Sequence, residues 1–246
     1  MSRAAAGPVE GDGAEGVRDM FSRIAPTYDL LNTLLSLGLD ERWRREAARE
    51  AVGGGARDVL DVATGTGKLA FAVKAACPAC AVTGVDFAEP MLDRAREAAA
   101  RRSSGVAFRV ADGTALPFPD ASFDAVTIGY GLRNFVDVDA GLREFRRVLR
   151  PGGRLVVLEF APPPAGPVGR AFRLYFERVL PWVGGVVSGA RGAYGYLPRS
   201  VKAFLPPEGL KDRMEGAGFR GVYYRLQTFG VSALHVGLAG DAPHGG

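Results

Sequence analysis

The run Val59–Gly67, with the sequence VLDVATGTG, constrains the fold more than any other part of this chain. Its apolar first half has the composition of a short strand buried inside a parallel sheet. Gly65 and Gly67 allow a sharp turn and keep side chains away from a ligand. Lys68–Ala76 then has the pattern of a helix. The run therefore predicts the strand, turn and helix of a nucleotide-binding unit.

An acidic residue at the end of this strand narrows the choice of nucleotide. Asp61 lies four residues before Gly65, at the carboxyl end of the predicted strand. A carboxylate at that point repels a pyrophosphate but attracts a cationic amine or sulfonium. The run therefore favours S-adenosylmethionine over a dinucleotide.

The glycine pattern is also compatible with other kinds of site. Gly65 and Gly67, followed by Ala70, also fit the dinucleotide fingerprint, so the glycines alone do not decide. A phosphate-binding loop is excluded because Val62 and Leu69 stand where that motif needs Gly and a hydroxyl residue. An ordinary tight turn between strand and helix is the remaining alternative.

Further strands follow at intervals of roughly 20 to 25 residues, with helical patterns between them, as a parallel α/β sheet requires. Because two of these strands end in Asp86 and Asp112, three acids are expected at one edge of the sheet. Asp86 can accept both ribose hydroxyls of an adenosine, and Asp112 with Gly113 is predicted beside the adenine. The strands are predicted at Ala81–Phe87, Phe108–Asp112, Ala125–Tyr130 and Leu155–Glu159, with a helix at Arg143–Leu149.

The core from Val59 to Phe160 resembles the class I S-adenosylmethionine-dependent methyltransferases. Motifs outside the cofactor-binding half of the chain resemble the quinone C-methyltransferase family of the UbiE/MenG type, over residues 17 to 239. They are Tyr28-Asp29-Leu30-Leu31-Asn32, Gly131-Leu132-Arg133-Asn134 and Arg147 through Phe160. The resemblance implies an α/β Rossmann-like fold with a seven-stranded, mostly parallel sheet and an antiparallel last strand.

The resemblance also implies site residues. C-methylation of a quinol needs an ionised phenol beside the reacting carbon, and a phenol titrates near pH 10, roughly like Tyr. Arg133 stays charged, so it is expected to stabilise the phenolate or to polarise a water molecule that Asn134 orients. The alternative role for Arg133 is a structural salt bridge. Tyr28 and Asp29 are the other catalytic candidates. The residues expected to bind the cofactor are Asp61, Gly65, Thr66, Gly67, Asp86, Asp112, Gly113 and Gly129.

The chain is predicted to form one methyltransferase domain over residues 17–240, preceded by a disordered tail at 1–16. A helical cap at 17–52 is expected on one side of the site. A helical insertion at 161–200 is interpreted either as a helical cap that packs on the sheet or as a lid or channel wall for a polyprenyl tail. The predicted elements outside the core are helices at Val17–Ile24, Leu30–Leu37, Asp40–Val52 and Pro207–Ala217, with strands at Val222–Gln227 and Ala233–Leu238.

Net charge and cysteine content limit the binding partners and the cellular compartment to be expected. The net charge of +4 is modest, so nucleic acid is not expected, although it suits anionic lipid heads. Cys77 and Cys80 lack two further metal ligands, since His235 and His244 are far away in sequence. We expect structural cysteines without a disulfide framework, no metal, and a cytoplasmic protein that touches the inner face of the membrane. Whether the chain forms a homodimer stays open.

The sequence thus predicts methylation of a demethylated isoprenoid quinol, with demethylmenaquinol preferred over a ubiquinone precursor. A methyltransferase for another lipid or small molecule, such as a sterol, is the alternative within enzymes. An alternative of another class is a non-catalytic cofactor-binding scaffold of a quinone pathway. The Tyr28-Asp29 and Arg133-Asn134 blocks favour an enzyme, because a scaffold needs neither.

Overall fold

The computed structural model describes residues 36, 38–162, 166, 169–170, 174 and 199–240. The strands are β1 (Asp58–Val62), β2 (Ala81–Asp86), β3 (Ala107–Val110), β4 (Phe123–Gly129), β5 (Leu149–Phe160), β6 (Phe219–Gln227) and β7 (Ser232–Ala239). The helices are α1 (Asp40–Val52), α2 (Lys68–Ala76), α3 (Glu89–Arg102), α4 (Val138–Val148) and α5 (Pro207–Gly216), with 3₁₀ turns at Leu132–Asn134 and Thr228–Gly230.

The strands form one seven-stranded sheet in the order β3-β2-β1-β4-β5-β7-β6. Strands β1 to β5 pair in parallel, whereas β7 pairs antiparallel to both β5 and β6. The predicted sheet, including its antiparallel last strand, is confirmed. The strand order reverses between β1 and β4, and ligands of open α/β sheets bind in the crevice outside such a switch point.

Helices cover both faces of the sheet. On one face, the apolar cluster includes α1 and α2, and α1 approaches closely because it presents the fully buried Ala47, Ala48 and Ala51. On the other face, the cluster is built from α4, α5 and the opposite side chains of the strands. The central strands are therefore buried on both faces, which explains their continuous apolar runs.

Some boundaries differ from the predicted ones for local reasons. Helix α4 begins at Val138 instead of Arg143, because the Asp137 side chain caps it by accepting a hydrogen bond from Ala140 N at 2.9 Å. Strand β3 ends at Val110, so Asp112 lies beyond the strand that we predicted it would end. Its carboxylate instead accepts hydrogen bonds from the backbone N–H and the hydroxyl of Thr114, both at 2.7 Å, which favours a turn.

The expectation of unlinked cysteines is wrong in this structure. Cys77 and Cys80 form a disulfide across the turn between α2 and β2. The turn brings their Cα atoms to 5.4 Å, within the range that a disulfide can bridge. The disulfide lies at the amino end of β2, at the sheet edge opposite the switch-point crevice.

Several predicted segments fall outside the described residues. They are the tail at 1–16, the helices at Val17–Ile24 and Leu30–Leu37, and most of the insertion at 161–200. The third predicted helix of the cap, Asp40–Val52, is present as α1 with the predicted bounds. None of the helices in the described part of the chain is long and apolar enough to cross a bilayer.

Candidate active site

A buried carboxylate stands at the switch point between β1 and β4. Asp61, near the end of β1, is only 1% exposed. It accepts hydrogen bonds from the hydroxyls of Thr64 at 2.5 Å and Thr127 at 2.6 Å. Burial raises the pKa of Asp61 to about 6, and the two hydroxyls oppose that rise. The Asp61 carboxyl therefore changes its protonation state at a pH just below neutral.

The loop after β1 has the backbone that the glycine pattern predicts. Gly65 and Gly67 have φ angles of 55° and 82°, in the left-handed region. A Cβ on Gly67 would lie 2.8 Å from the Phe108 ring and 3.0 Å from that of Phe71. Gly67 therefore serves both the turn and the close packing of α2 against the sheet.

The acid at the end of β2 anchors this same loop. The Asp86 carboxylate accepts hydrogen bonds from Gly65 N at 2.8 Å and Ala88 N at 2.9 Å. Burial raises the pKa of Asp86, although these backbone donors favour its charged form. The Phe87 N–H also favours the charged form, and because a carboxylate has about four lone-pair sites, acceptor capacity remains for a ribose hydroxyl. The structure thus brings Asp86 to the loop after β1.

A narrow cleft lies between this loop and the first helix. Of the predicted cofactor-binding residues, the cleft brings together Asp61, Gly65, Thr66 and Gly129. Two cations that were not predicted also line the cleft. These are Arg44 on α1 and Lys68 at the start of α2, and the complete lining is Arg44, Asp61, Ala63, Thr64, Gly65, Thr66, Lys68, Leu69 and Gly129.

The third acid stands apart from this cleft. The Asp112 side chain is exposed, one strand further out than Asp86. Gly113 packs closely, because a Cβ there would lie 2.5 Å from the Phe135 ring. The two residues follow β3 at the same edge of the sheet, but neither lines the cleft around Asp61.

Arg133 lies in the 3₁₀ turn after β4 and is buried. Its Nη1 donates to the Glu159 carboxylate at 2.8 Å and to the Tyr130 carbonyl, and its Nε donates to the Ser200 hydroxyl at 3.3 Å. The structural alternative for Arg133 therefore has direct support, since the ion pair ties the turn to β5. Asn134 is the last residue of this turn.

Two catalytic candidates, Tyr28 and Asp29, lie outside the described residues. Two buried partners were not predicted, although a signal for each is present in the sequence. Thr127 and Glu159 are polar residues inside apolar strands, where an unpaired polar group is costly. Such a residue predicts a specific partner, and here the partners are Asp61 and Arg133.

The donors and acceptors of the cleft fit an adenosine that carries a cationic amino acid. The glycine loop and the buried Asp61 carboxylate line the cleft, and the Asp86 carboxylate holds the same loop through Gly65 N. A dinucleotide would bring its pyrophosphate against Asp61, where like charges repel. The electrostatics of the site therefore agree with a sulfonium ligand.

Comparisons with known proteins agree with this geometry. The sequence model of the family described as the ubiE/COQ5 methyltransferase family matches residues 10–239. A demethylmenaquinone methyltransferase of Thermus thermophilus is 58% identical over 218 residues, which cover 89% of this chain and 99% of that protein. A protein of the same name from Deinococcus radiodurans is 53% identical over 226 residues, covering 92% of this chain and 93% of that protein.

A solved structure shows the same fold. A SAM-dependent methyltransferase from Thermotoga maritima superposes with a TM-score of 0.59 over 90% of this chain and 98% of that chain. Its sequence identity to this chain is 22%, so the likeness concerns the fold alone.

Proposed function

The chain belongs to the ubiE/COQ5 methyltransferase family, and on that premise we propose that it methylates a ring carbon of demethylmenaquinol. Its methyl donor is S-adenosylmethionine. The observation that carries the choice of acceptor is the pair of relatives named demethylmenaquinone methyltransferase, at 58% and 53% identity over nearly their full lengths. The proposed product is menaquinol.

The residues around the cleft have distinct proposed roles toward the donor. S-adenosylmethionine, when bound, supplies a methyl group that is already a strong electrophile. Asp61 would hold its cationic amino-acid end, and Asp86 its ribose. The glycine loop, with Thr66 and Gly129, would line the space between them, and Asp112 with Gly113 would lie beside the adenine. What the protein adds is position and charge, because the donor needs no further activation.

The acceptor needs help, since its phenol must ionise for the ring carbon to become nucleophilic. We propose that Arg133 stabilises that negative charge and that Asn134 orients a water beside it. Tyr28 and Asp29 remain the other candidates for this role. The pairing of Arg133 with Glu159 supports a fixed orientation of the guanidinium, but it also lowers the net charge of the pair. The catalytic role therefore has to be separated from the structural one by experiment.

The direct test of the acceptor uses methyl-labelled S-adenosylmethionine. The protein is incubated with separate panels of demethylated naphthoquinols, benzoquinols and sterols, and label is followed into each lipid. We expect label in naphthoquinols, with the methyl group on a ring carbon. Label only in benzoquinols or sterols would overturn the choice of acceptor. Tight donor binding without transfer to any panel would instead support the scaffold.

We further propose that the protein works as a peripheral protein at the inner face of the membrane, where a prenylated quinol resides. Phe229 supports this, because it lies in the turn between β6 and β7 with 77% of its surface exposed. Phe160, the last residue of β5, pairs with Ser232, the first of β7, so this turn lies at the same sheet edge as the cleft. Leu226, 56% exposed, adds apolar surface just before it.

A further inference from the structure

The chain between β3 and β4, which the structure describes throughout, contains no helix or strand. Residues 116–120 of this segment, called the proline loop, include Pro117 and Pro119, which have no backbone N–H. At these two positions the loop cannot fix its shape through backbone donors of its own. Its carbonyl groups instead receive hydrogen bonds from a single arginine on α4.

Arg147 uses all five of its N–H groups on this loop and on one further carboxylate. Nη2 donates to the Leu116 carbonyl at 3.0 Å. Nη1 donates to the Phe118 carbonyl at 2.8 Å and to the Asp120 carboxylate at 2.7 Å. Nε and Nη2 donate to the two oxygens of Glu144 at 2.7 and 2.8 Å. The guanidinium therefore acts on the chain itself, with no N–H left for a ligand.

Glu144 completes the hold on Leu116. Its carboxylate accepts a hydrogen bond from the Leu116 N–H at 2.9 Å, so both backbone polar groups of Leu116 bond to the ion pair. Ala115, the preceding residue, pairs with Asp112 and donates to its carbonyl at 3.1 Å. The ion pair on α4 is thus connected to the acid after β3 through two neighbouring backbone contacts.

Asp112 is the acid placed beside the adenine under the proposed function, and its connection to α4 matters only if that placement holds. The N–H and the hydroxyl of Thr114 both bond to Asp112 Oδ1, so Oδ2 has capacity to accept from the exocyclic amine of adenine. We propose that Arg147 and Glu144 are positioning residues for adenine recognition. Their ion pair holds the proline loop, and through it Asp112, in the orientation that selects adenine. Both act through the loop and not by contact with the donor.

The test compares two ligands by calorimetry and uses no quinol, so an error in the proposed acceptor would not change it. The ligands are S-adenosylhomocysteine and S-inosylhomocysteine, in which a carbonyl oxygen replaces the exocyclic amine. A carboxylate attracts the amine and repels the oxygen, so the wild-type protein should prefer the first at least about tenfold. Arg147→Met should remove most of that preference, mainly by weakening the adenine ligand. Arg143→Met, a change at an exposed position of the same helix, is the matched control and should keep the preference.

Asp112→Ala shows whether Arg147 acts through Asp112. It should remove the same preference, and Arg147→Met combined with Asp112→Ala should remove no more, because changes in one connected network are not additive. If Asp112→Ala keeps the preference, the placement of Asp112 and the role of Arg147 are both overturned. If Asp112→Ala removes the preference and Arg147→Met keeps it, only the role of Arg147 is overturned.

Two further outcomes separate positioning from folding. If Arg147→Met weakens both ligands by the same factor, Arg147 serves the fold alone and the inference is wrong. Should Arg147→Met fail to fold, Arg147→Lys replaces it, since lysine keeps the charge but offers three donors instead of five. Arg147→Lys should lose part of the preference, and a wild-type preference in that variant would overturn the inference.

Discussion

The Asp61 carboxylate is buried, so its negative charge is unfavourable until a cationic ligand binds beside it. Its pKa is raised to about 6 against the ordinary 3.8. Thr64 and Thr127 donate to it, which holds both oxygens in position. A cationic ligand favours the ionised form, so ligand binding and loss of the Asp61 proton are coupled.

We therefore expect donor affinity to depend on pH. Above pH 6 Asp61 is ionised and attracts the ammonium, whereas below pH 6 protonation removes that attraction. The dissociation constant of S-adenosylmethionine should rise by up to about tenfold for each pH unit below 6. Calorimetry between pH 5 and pH 8 measures this. Asp61→Asn should bind weakly throughout, with a flat profile; a flat profile in the wild type would contradict the coupling.

A second prediction for a single residue concerns Asp86. Asp86→Ala should weaken S-adenosylmethionine binding at least about tenfold, because charged hydrogen bonds to the ribose contribute roughly 1.5–3 kcal/mol each. Asp93→Ala is a matched control, since the Asp93 carboxylate is exposed on α3 and pairs only with Arg96 among the described residues. Unchanged affinity in Asp86→Ala would remove Asp86 from the site.

At the scale of secondary-structure elements, β5 is joined to the turn after β4. Arg133 and Glu159 form a buried ion pair across these two elements. Arg133→Met should cost about 3–5 kcal/mol of unfolding free energy, because it leaves the Glu159 carboxylate buried without its cation. Arg133→Met combined with Glu159→Leu should recover most of that loss. Urea unfolding of the three proteins measures both changes.

Turnover of the double variant separates the two roles of Arg133. If Arg133 stabilises the quinol phenolate, the stable double variant should still be slower by roughly 10²- to 10³-fold, with donor affinity nearly unchanged. Raising the pH should recover part of the rate, because more quinol then ionises unaided. Normal turnover by the double variant would leave Arg133 a structural role only.

Elements were predictable from the sequence where a repeated pattern determines them. The apolar runs and glycine turns indicated each parallel strand, and α1 and α2 have their predicted bounds. Boundaries differed where side chains decide, as at Asp137, which caps α4, and at Asp112, which forms a turn. Arg44 was missed because its site forms only when α1 packs beside the loop after β1, a contact between distant segments.

At the scale of the molecule, the apolar turn and the cleft share one edge of the sheet. Thr228 and Phe229 have φ angles of 43° and 57°, left-handed values that are uncommon for such residues. The Trp43 indole N–H donates to the Thr228 hydroxyl at 3.0 Å, which ties the turn to α1. The Phe229 ring is therefore held outward by the fold.

Phe229→Ser should weaken binding to vesicles of phosphatidylglycerol and phosphatidylethanolamine by about tenfold, because a buried Phe contributes roughly 1.5–3 kcal/mol. Sedimentation with the vesicles measures this. Leu238→Ser is the control, since Leu238 is also exposed but pairs with Arg154, toward the opposite edge of the sheet. Equal losses in both variants, or none in Phe229→Ser, would argue against contact through this turn.

The position of β7 between β5 and β6 determines when the sheet can close during synthesis. Of the seven strands, β7 leaves the ribosome last, so until then β5 has an open edge and β6 has no partner. Open edges invite pairing with other chains. A polypeptide released early, before residue 232, would therefore carry both hazards, and the sheet closes only once β7 has been made.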